Sequence, residues 1–172
     1  ELSPLHDKAV RSAVAHIINY DSMAKIIGNS STPGAAPFPP SANLGFDSIA
    51  NKPMTDVAKA DQILTQAGYA KNANGIYAKD GKELALTLAI WGKDTSLYEE
   101  IQQELKQAGI AVTLKKLQSA GEVDTLGTDG FDMVERAVVT MSTNDPYWYL
   151  SLFYKTGAKA NVGAYSNPQV DA

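Results

Sequence analysis

The side chains best suited to meeting a ligand gather in one stretch, Phe131 to Phe153, which reads FDMVERAVVTMSTNDPYWYLSLF. An apolar, strand-like run ends in the polar tract Met141-Ser142-Thr143-Asn144, turns at Asp145-Pro146 and resumes with Tyr147, Trp148 and Tyr149. Small hydroxyl and amide groups beside aromatic faces suit the holding of a small molecule, through directional hydrogen bonds and stacking. Trp91 adds another aromatic at the end of a second apolar alternation. The same aromatics would equally serve as core filling, since each buries ~150–250 Å² wherever it packs.

Covalent chemistry finds little to work with. His6 and His16 lie in the first helical region, far in sequence from any candidate nucleophile, so no Ser/His/Asp or Cys/His set assembles. Neither histidine has a metal-ligating partner four residues on, and the carboxylates are scattered; Glu99-Glu100 reads as a solvated helix face. There is no phosphate-binding P-loop and no G-x-G-x-x-G turn, and the absence of cysteine removes disulfides, thiolate catalysis and Cys-based zinc sites. No catalytic residue, resident metal or cofactor is expected.

A chain of 172 residues that is 44% hydrophobic and 20% charged is long enough for a sizeable core, burying about 70% of its unfolded surface. Mean hydropathy of −0.20 and a pI near 5.1 accompany a net charge of −4, a poor match to a phosphate-tracking groove, so nucleic acid is not an expected partner. No run of ~18 apolar residues is present to span a bilayer, and Glu1-Leu2-Ser3-Pro4 is not a signal peptide; the chain reads as soluble.

The elements that would position the polar break follow from periodicity. Val10, Val14, Ile17 and Ile18 predict a helix over Leu5 to Asn19, and Asp21 predicts the cap of a short second helix, Ser22 to Ile27, closed by Gly28. Pro33, Pro37, Pro39, Pro40 and Pro53 make Asn29 to Pro53 an ordered loop rather than helix or central strand. Thr55 predicts the cap of a third helix, Asp56 to Ala67, stopped by Gly68, and the turn dipeptides Asn74-Gly75 and Asp80-Gly81 bracket a small hairpin. Leu84, Leu86, Leu88 and Ile90 alternate as a strand; a helix Thr95 to Ala108 ends at Gly109; Ile110, Val112 and Leu114 alternate again. Strand, helix and strand with so short an exit predict a parallel βαβ unit, with Trp91 and Gly92 at the carboxyl end of its first strand, the edge where open α/β sheets bind ligands. Ser119 to Asp129 is a connection with at most a short helix, Phe131 to Thr140 a strand in the middle of the same sheet, and Tyr147 to Tyr154 a helix.

These residues carry a family resemblance. Pro4-Leu5-x-Asp7-x-x-Val10-Arg11-x-Ala13 with Asn19-Tyr20-Asp21 and Gly28 resembles the opening of the second lobe in the peptide/nickel class (family 5) of ABC-importer solute-binding proteins. Ala58-Lys59-Ala60, Ala67-Gly68-Tyr69, Asp80-Gly81-Lys82-Glu83-Leu84, Leu105-x-x-Ala108-Gly109-Ile110-x-Val112, Phe131-Asp132, Asp145-Pro146 and Tyr165-Ser166-Asn167-Pro168-x-Val170-Asp171 follow in the family's order. The resemblance implies an α/β fold of type II periplasmic-binding-protein kind, with a βαβ unit and a mixed sheet flanked by helices. It implies that residues 1–172 are a single domain, part of the second lobe of a two-lobed receptor whose first lobe and C-terminal remainder are absent here. Such a receptor is extracytoplasmic, in the periplasm or as a cell-surface lipoprotein. It is a monomer that closes on a small molecule, peptide or metal chelate and delivers it to ABC permease subunits in the membrane.

The implied ligand contacts are Trp91, Arg136, Thr140, Ser142, Asn144, Tyr147 and Trp148. Arg136 would meet a carboxylate, Ser142 and Asn144 polar groups, and the aromatics would stack and exclude water. Arg136 has the alternative of an ion pair with Asp132 or Glu135. Peptide-binding relatives commonly carry an acid three positions before the Asp/Glu-Pro pair, and Ser142 stands there; a neutral hydroxyl does not supply the charge-assisted contact to an ammonium. A nickel or metallophore chelate, an opine-like solute or a differently anchored peptide therefore stay open. Two other classes remain as alternatives: a binding module of receptor or chaperone type without transport, and a small hydrolase using the same cleft.

Overall fold

Asp7 closes a short 3-10 turn, Pro4–His6, and opens the chain's first α-helix. Its carboxylate accepts the Ala9 amide at 2.8 Å and caps α1, Lys8–Ile17, whose Val10, Ala13, Val14 and Ile17 fall on one buried stripe. This is a computed structural model that describes residues 2–28, 54–126, 130–136 and 146–172. The expected proline-rich loop, the far part of the expected strand to Thr140, and the polar tract with Ser142 and Asn144 lie outside the described residues.

Two capping expectations move by a residue or two. The second helix, α2, spans Tyr20–Ile26 and is capped by Asn19 rather than Asp21: the Asn19 side chain takes the Ser22 amide at 3.1 Å while its own amide donates to Glu104 at 2.9 Å. That long-range bond fixes Asn19 in extended backbone, the conformation a cap requires. Helix α3, Val57–Gln66, is capped by Asp56, not Thr55, whose hydroxyl donates instead to the Ile18 carbonyl at 2.8 Å. Ala60 and Leu64 of α3 pack against the α1 stripe. His16 is structural: its Nδ1 faces the Ser12 carbonyl at 2.8 Å and therefore carries the proton.

Parallel and antiparallel pairing is divided between two sheets of three strands each among the described residues. The first is an antiparallel meander, β1 (Ala70–Lys71), β2 (Tyr77–Lys79) and β3 (Lys82–Glu83), turned by residues 72–76 and by Asp80-Gly81, both with positive φ. The second is parallel, in the order β5-β4-β6, with β4 at Ala85–Ile90, β5 at Ala111–Lys116 and β6 at Met133–Val134. Helix α4, Ser96–Ala108, joins β4 to β5, so the βαβ unit forms as its spacing predicts. The central strand is β4, with Leu88, Ala89 and Ile90 buried in succession; β6 pairs with β4 alone among the described residues, and its two residues are half-buried. Among the described residues the apolar run after Phe131 thus supplies a strand flanking β4.

The chain divides into two units. One comprises residues 1–33, 53–119 and 131–135; its core joins Val10, Val14 and Ile17 to Leu64, Tyr77, Leu84, Leu86, Leu105 and Ile110, all below a tenth exposed. At about 25 cal/mol per Å² of apolar area, each such leucine contributes about 2 kcal/mol. The other comprises residues 34–52, 120–130 and 136–172. It holds α5 (Gly121–Leu126), α6 (Tyr147–Phe153) and α7 (Pro168–Asp171). Tyr149 and Phe153, one turn apart on α6, have ring centroids 4.9 Å apart, and Tyr154 joins them and Tyr165. The tail closes on itself: Asp171 accepts the Thr156 amide at 2.7 Å and hydroxyl at 2.6 Å, and Asn161 bonds both the Tyr165 amide and its carbonyl.

Candidate functional site

In the order β5-β4-β6, the chain leaves β4 toward one neighbour and later returns to its other side. The carboxyl ends of β4 and β6 therefore flank a topological switch point, the kind of edge at which open α/β sheets bind ligands. Trp91 follows directly after β4 and Glu135 directly after β6.

Glu135 organises this edge. Its amide donates to the Ala89 carbonyl at 2.9 Å, extending the ladder, while its carboxylate reaches forward to accept the Trp91 amide at 2.9 Å. The same carboxylate takes the hydroxyl of Tyr98 in the first turn of α4; burial, then this bond, then the negative charge push the Tyr98 phenol well above its ordinary value. Asp132 does the matching work on the other flank of β6, its amide donating to Thr87 O at 2.9 Å and its carboxylate accepting the Thr87 amide at 2.7 Å. Both carboxylates thus stand in for ladder acceptors on β4.

Between Trp91 and Tyr98 runs the β4–α4 loop. Gly92 at φ +89° makes its turn, the Asp94 carboxylate accepts the Ser96 amide at 3.0 Å and also its hydroxyl, and the Thr95 hydroxyl donates to Glu99 at 2.6 Å. Those two bonds from Ser96 hold the Asp94 carboxyl below its usual range. Trp91 is half-buried at the foot of this loop.

The other expected contacts fall in the second unit or outside the described residues. Arg136 is exposed, its guanidinium 5.4 Å from the centre of the Phe153 ring, a cation–π arrangement. Tyr147 and Trp148 open α6 and are 70% and 42% exposed, whereas Tyr149 turns into the aromatic group, where burial and the Tyr154 hydroxyl push its phenol up to about 12. Thr140, Ser142 and Asn144 lie outside the described residues. A groove of about 730 Å³ at the amino end of β4, lined by Leu2, Pro4, Tyr69, Lys79, Leu84 and Asp132 among others, includes none of the expected contacts. Among the described residues no group of three His, Asp or Glu side chains is placed to hold a metal ion, and no helix is long and apolar enough to cross a membrane. Sequence reasoning named Glu135 only as an ion-pair alternative for Arg136 and passed over its bond to the Trp91 amide and the part of Tyr98; the signal was a pair of acids, Asp132 and Glu135, interrupting an otherwise apolar strand.

Residues 2–161 match the family described as bacterial extracellular solute-binding proteins, family 5 middle region. The chain belongs to this family. Its members are binding proteins, not enzymes. The α/β architecture is that of a lobe of the type II periplasmic-binding-protein fold: the chain is similar to the nickel ABC transporter protein from Bacillus halodurans, at 24% identity and a TM-score of 0.85 over 97% of this chain and 35% of that one. NikA from Brucella suis, solved in complex with Fe(III)-EDTA, shares 27% identity at a TM-score of 0.78, with 98% of this chain and 34% of that one covered. Lactococcal OppA, complexed with an endogenous peptide in the closed conformation, shares 24% identity at 0.83, covering 98% and 33%. This family 5 chain thus spans about a third of the length of the solved structures it matches.

Proposed function

We propose that this family 5 chain is part of the substrate-binding component of an ABC importer, capturing a peptide, a nickel or other metal chelate, or a related small solute between two lobes and delivering it to membrane permease subunits. It works outside the cytoplasm, in the periplasm or as a lipoprotein at the cell surface. The observation that carries the reading is family membership across residues 2–161, with a switch point that sets Trp91 at the sheet edge. Trp91, Arg136, Thr140, Ser142, Asn144, Tyr147 and Trp148 are the proposed ligand contacts. Closure about a hinge is the mechanism, ligand binding favouring the closed state by its greater affinity for it.

Ser142, at the place where peptide-binding members of the resembled class commonly carry an acid, favours a solute without a free ammonium there, and a metal chelate fits because its chelator satisfies the metal. Native mass spectrometry of the intact protein, isolated without refolding, tests this. A co-purified metal chelate or other small solute is the expected result; peptides with free amino termini would overturn the inference from Ser142, and turnover of an offered peptide would overturn the binding-protein reading.

A further inference from the structure

We propose that Glu135 is the positioning residue of the binding edge: its carboxylate clamps both ends of the β4–α4 loop and so sets where Trp91 stands. The inference rests on the reading of Trp91 as a ligand contact. Among the described residues the β4 ladder runs as far as Ile90, and the Glu135 carboxylate takes the next amide, that of Trp91, at 2.9 Å. The Tyr98 hydroxyl, one turn into α4, meets the same carboxylate. One side chain therefore holds the residue that enters the loop and a residue just beyond its exit.

The loop needs such a clamp. Gly92 at φ +89° removes side-chain constraint at the turn, and Lys93 and Asp94 are exposed. Its internal bonds, Asp94 to Ser96 and Thr95 to Glu99, order the start of α4 and leave Trp91 untouched. An ionised carboxylate makes the stronger kind of hydrogen bond and accepts two donors at once. Glutamine in its place offers one carbonyl to two donors. Loss of the clamp and loss of the charge are separable by comparing Glu135→Gln with Tyr98→Phe, which keeps the charge.

The test is carried out on the intact protein. Amide hydrogen exchange is measured at Trp91, at Leu88 and at Ile110, together with the Trp91 indole N–H resonance, assigned by its loss in Trp91→Phe. Glu135→Ala is expected to speed Trp91 amide exchange by at least about tenfold, as loss of a charge-assisted bond requires, and to shift the indole resonance. Leu88 and Ile110 should keep their protection. Tyr98→Phe should produce the same indole shift in smaller degree and serves if Glu135→Ala does not fold. Affinity for Ni(II) with L-histidine, and for a short free-amine peptide, is then measured by calorimetry for whichever probe the wild type binds; Glu135→Gln and Tyr98→Phe should both weaken it. An unchanged Trp91 amide and indole resonance would overturn the proposal, as would deprotection spread equally over Leu88 and Ile110, or unchanged affinity with a displaced Trp91. A wild type that binds neither probe while Trp91 loosens on schedule would count against the importer reading and leave the clamp supported.

Discussion

Replacing Gly109 by alanine is the sharpest single probe of how the sheets and helices interlock. Gly109 ends α4 at φ +103°, its carbonyl accepts the Tyr77 amide at 2.8 Å, and a methyl group there would lie 2.7 Å from the Gly75 carbonyl oxygen, 3.0 Å from Lys71 Cε and 3.3 Å from Tyr77 Cδ2. The lysine end can swing away, but the backbone oxygen and the buried ring cannot. A left-handed backbone costs a non-glycine residue roughly 1–2 kcal/mol, and forced overpacking adds about 1–3 kcal/mol. The smaller entropy of the unfolded alanine chain returns ~0.4–1 kcal/mol. The net expectation for Gly109→Ala is a loss of about 2–4 kcal/mol by these three effects.

Gly28 supplies the internal control. Its φ of +80° requires the same conformation, yet nothing lies within 4 Å of a methyl placed there. Gly28→Ala should therefore cost only about 0.5–1.5 kcal/mol, the conformational part alone. Urea denaturation of the two variants beside wild type gives the difference, and amide exchange at Tyr77 reports whether the meander has been pushed off Gly109. Equal destabilisation by the two substitutions, or a Tyr77 amide as protected in Gly109→Ala as in wild type, would refute the steric argument.

Two further outcomes follow from the same structure. Leu105→Ala removes a fully buried side chain where α4 meets the core and should destabilise by about 2–5 kcal/mol in denaturant titration, against less than about 0.5 kcal/mol for the exposed Lys106→Ala. Tyr20, Tyr69, Tyr77, Tyr98 and Tyr149 all hold their phenol protons more tightly than usual, chiefly because burial disfavours the anion. The folded state therefore binds more protons than the unfolded one above the ordinary phenol value of 10.0, so this stability is present below that pH and is lost as pH rises toward about 12, where Tyr149 ionises. Denaturant midpoints measured across that range should fall, and Tyr149→Phe should soften the fall.

Much of the first unit was legible because its signals are local. Period-two and helical alternation, with glycines at Gly68 and Gly109 that only positive φ explains, placed α3, β4, α4 and β5 to within a residue or two. The cap of α2 was misplaced because Asn19 is held by Glu104, 85 residues away, which no local pattern encodes. The partner of β6 was not legible for a related reason: an apolar run states that a strand is covered, not which neighbour covers it. At the candidate site, the place of Trp91 directly after a strand was legible from alternation, whereas the bond to Glu135 was not, because an acid in an apolar run gives no sign of which distant amide it will accept.

The strands on either side of β4 reach it over unequal lengths of chain. Helix α4 alone carries β4 to β5, while Asp132 meets Thr87 across 45 residues. Loop closure costs more the longer the loop, which favours the pairing of β4 with β5 over that of β4 with β6 early in folding. During synthesis on the ribosome, the βαβ unit leaves the exit tunnel before Asp132 does, and one edge of β4 stands open to any other nascent strand in the interval. The two carboxylates that later take the Thr87 and Trp91 amides end that exposure, and the speed with which they arrive sets how long a newly made chain is open to mispairing.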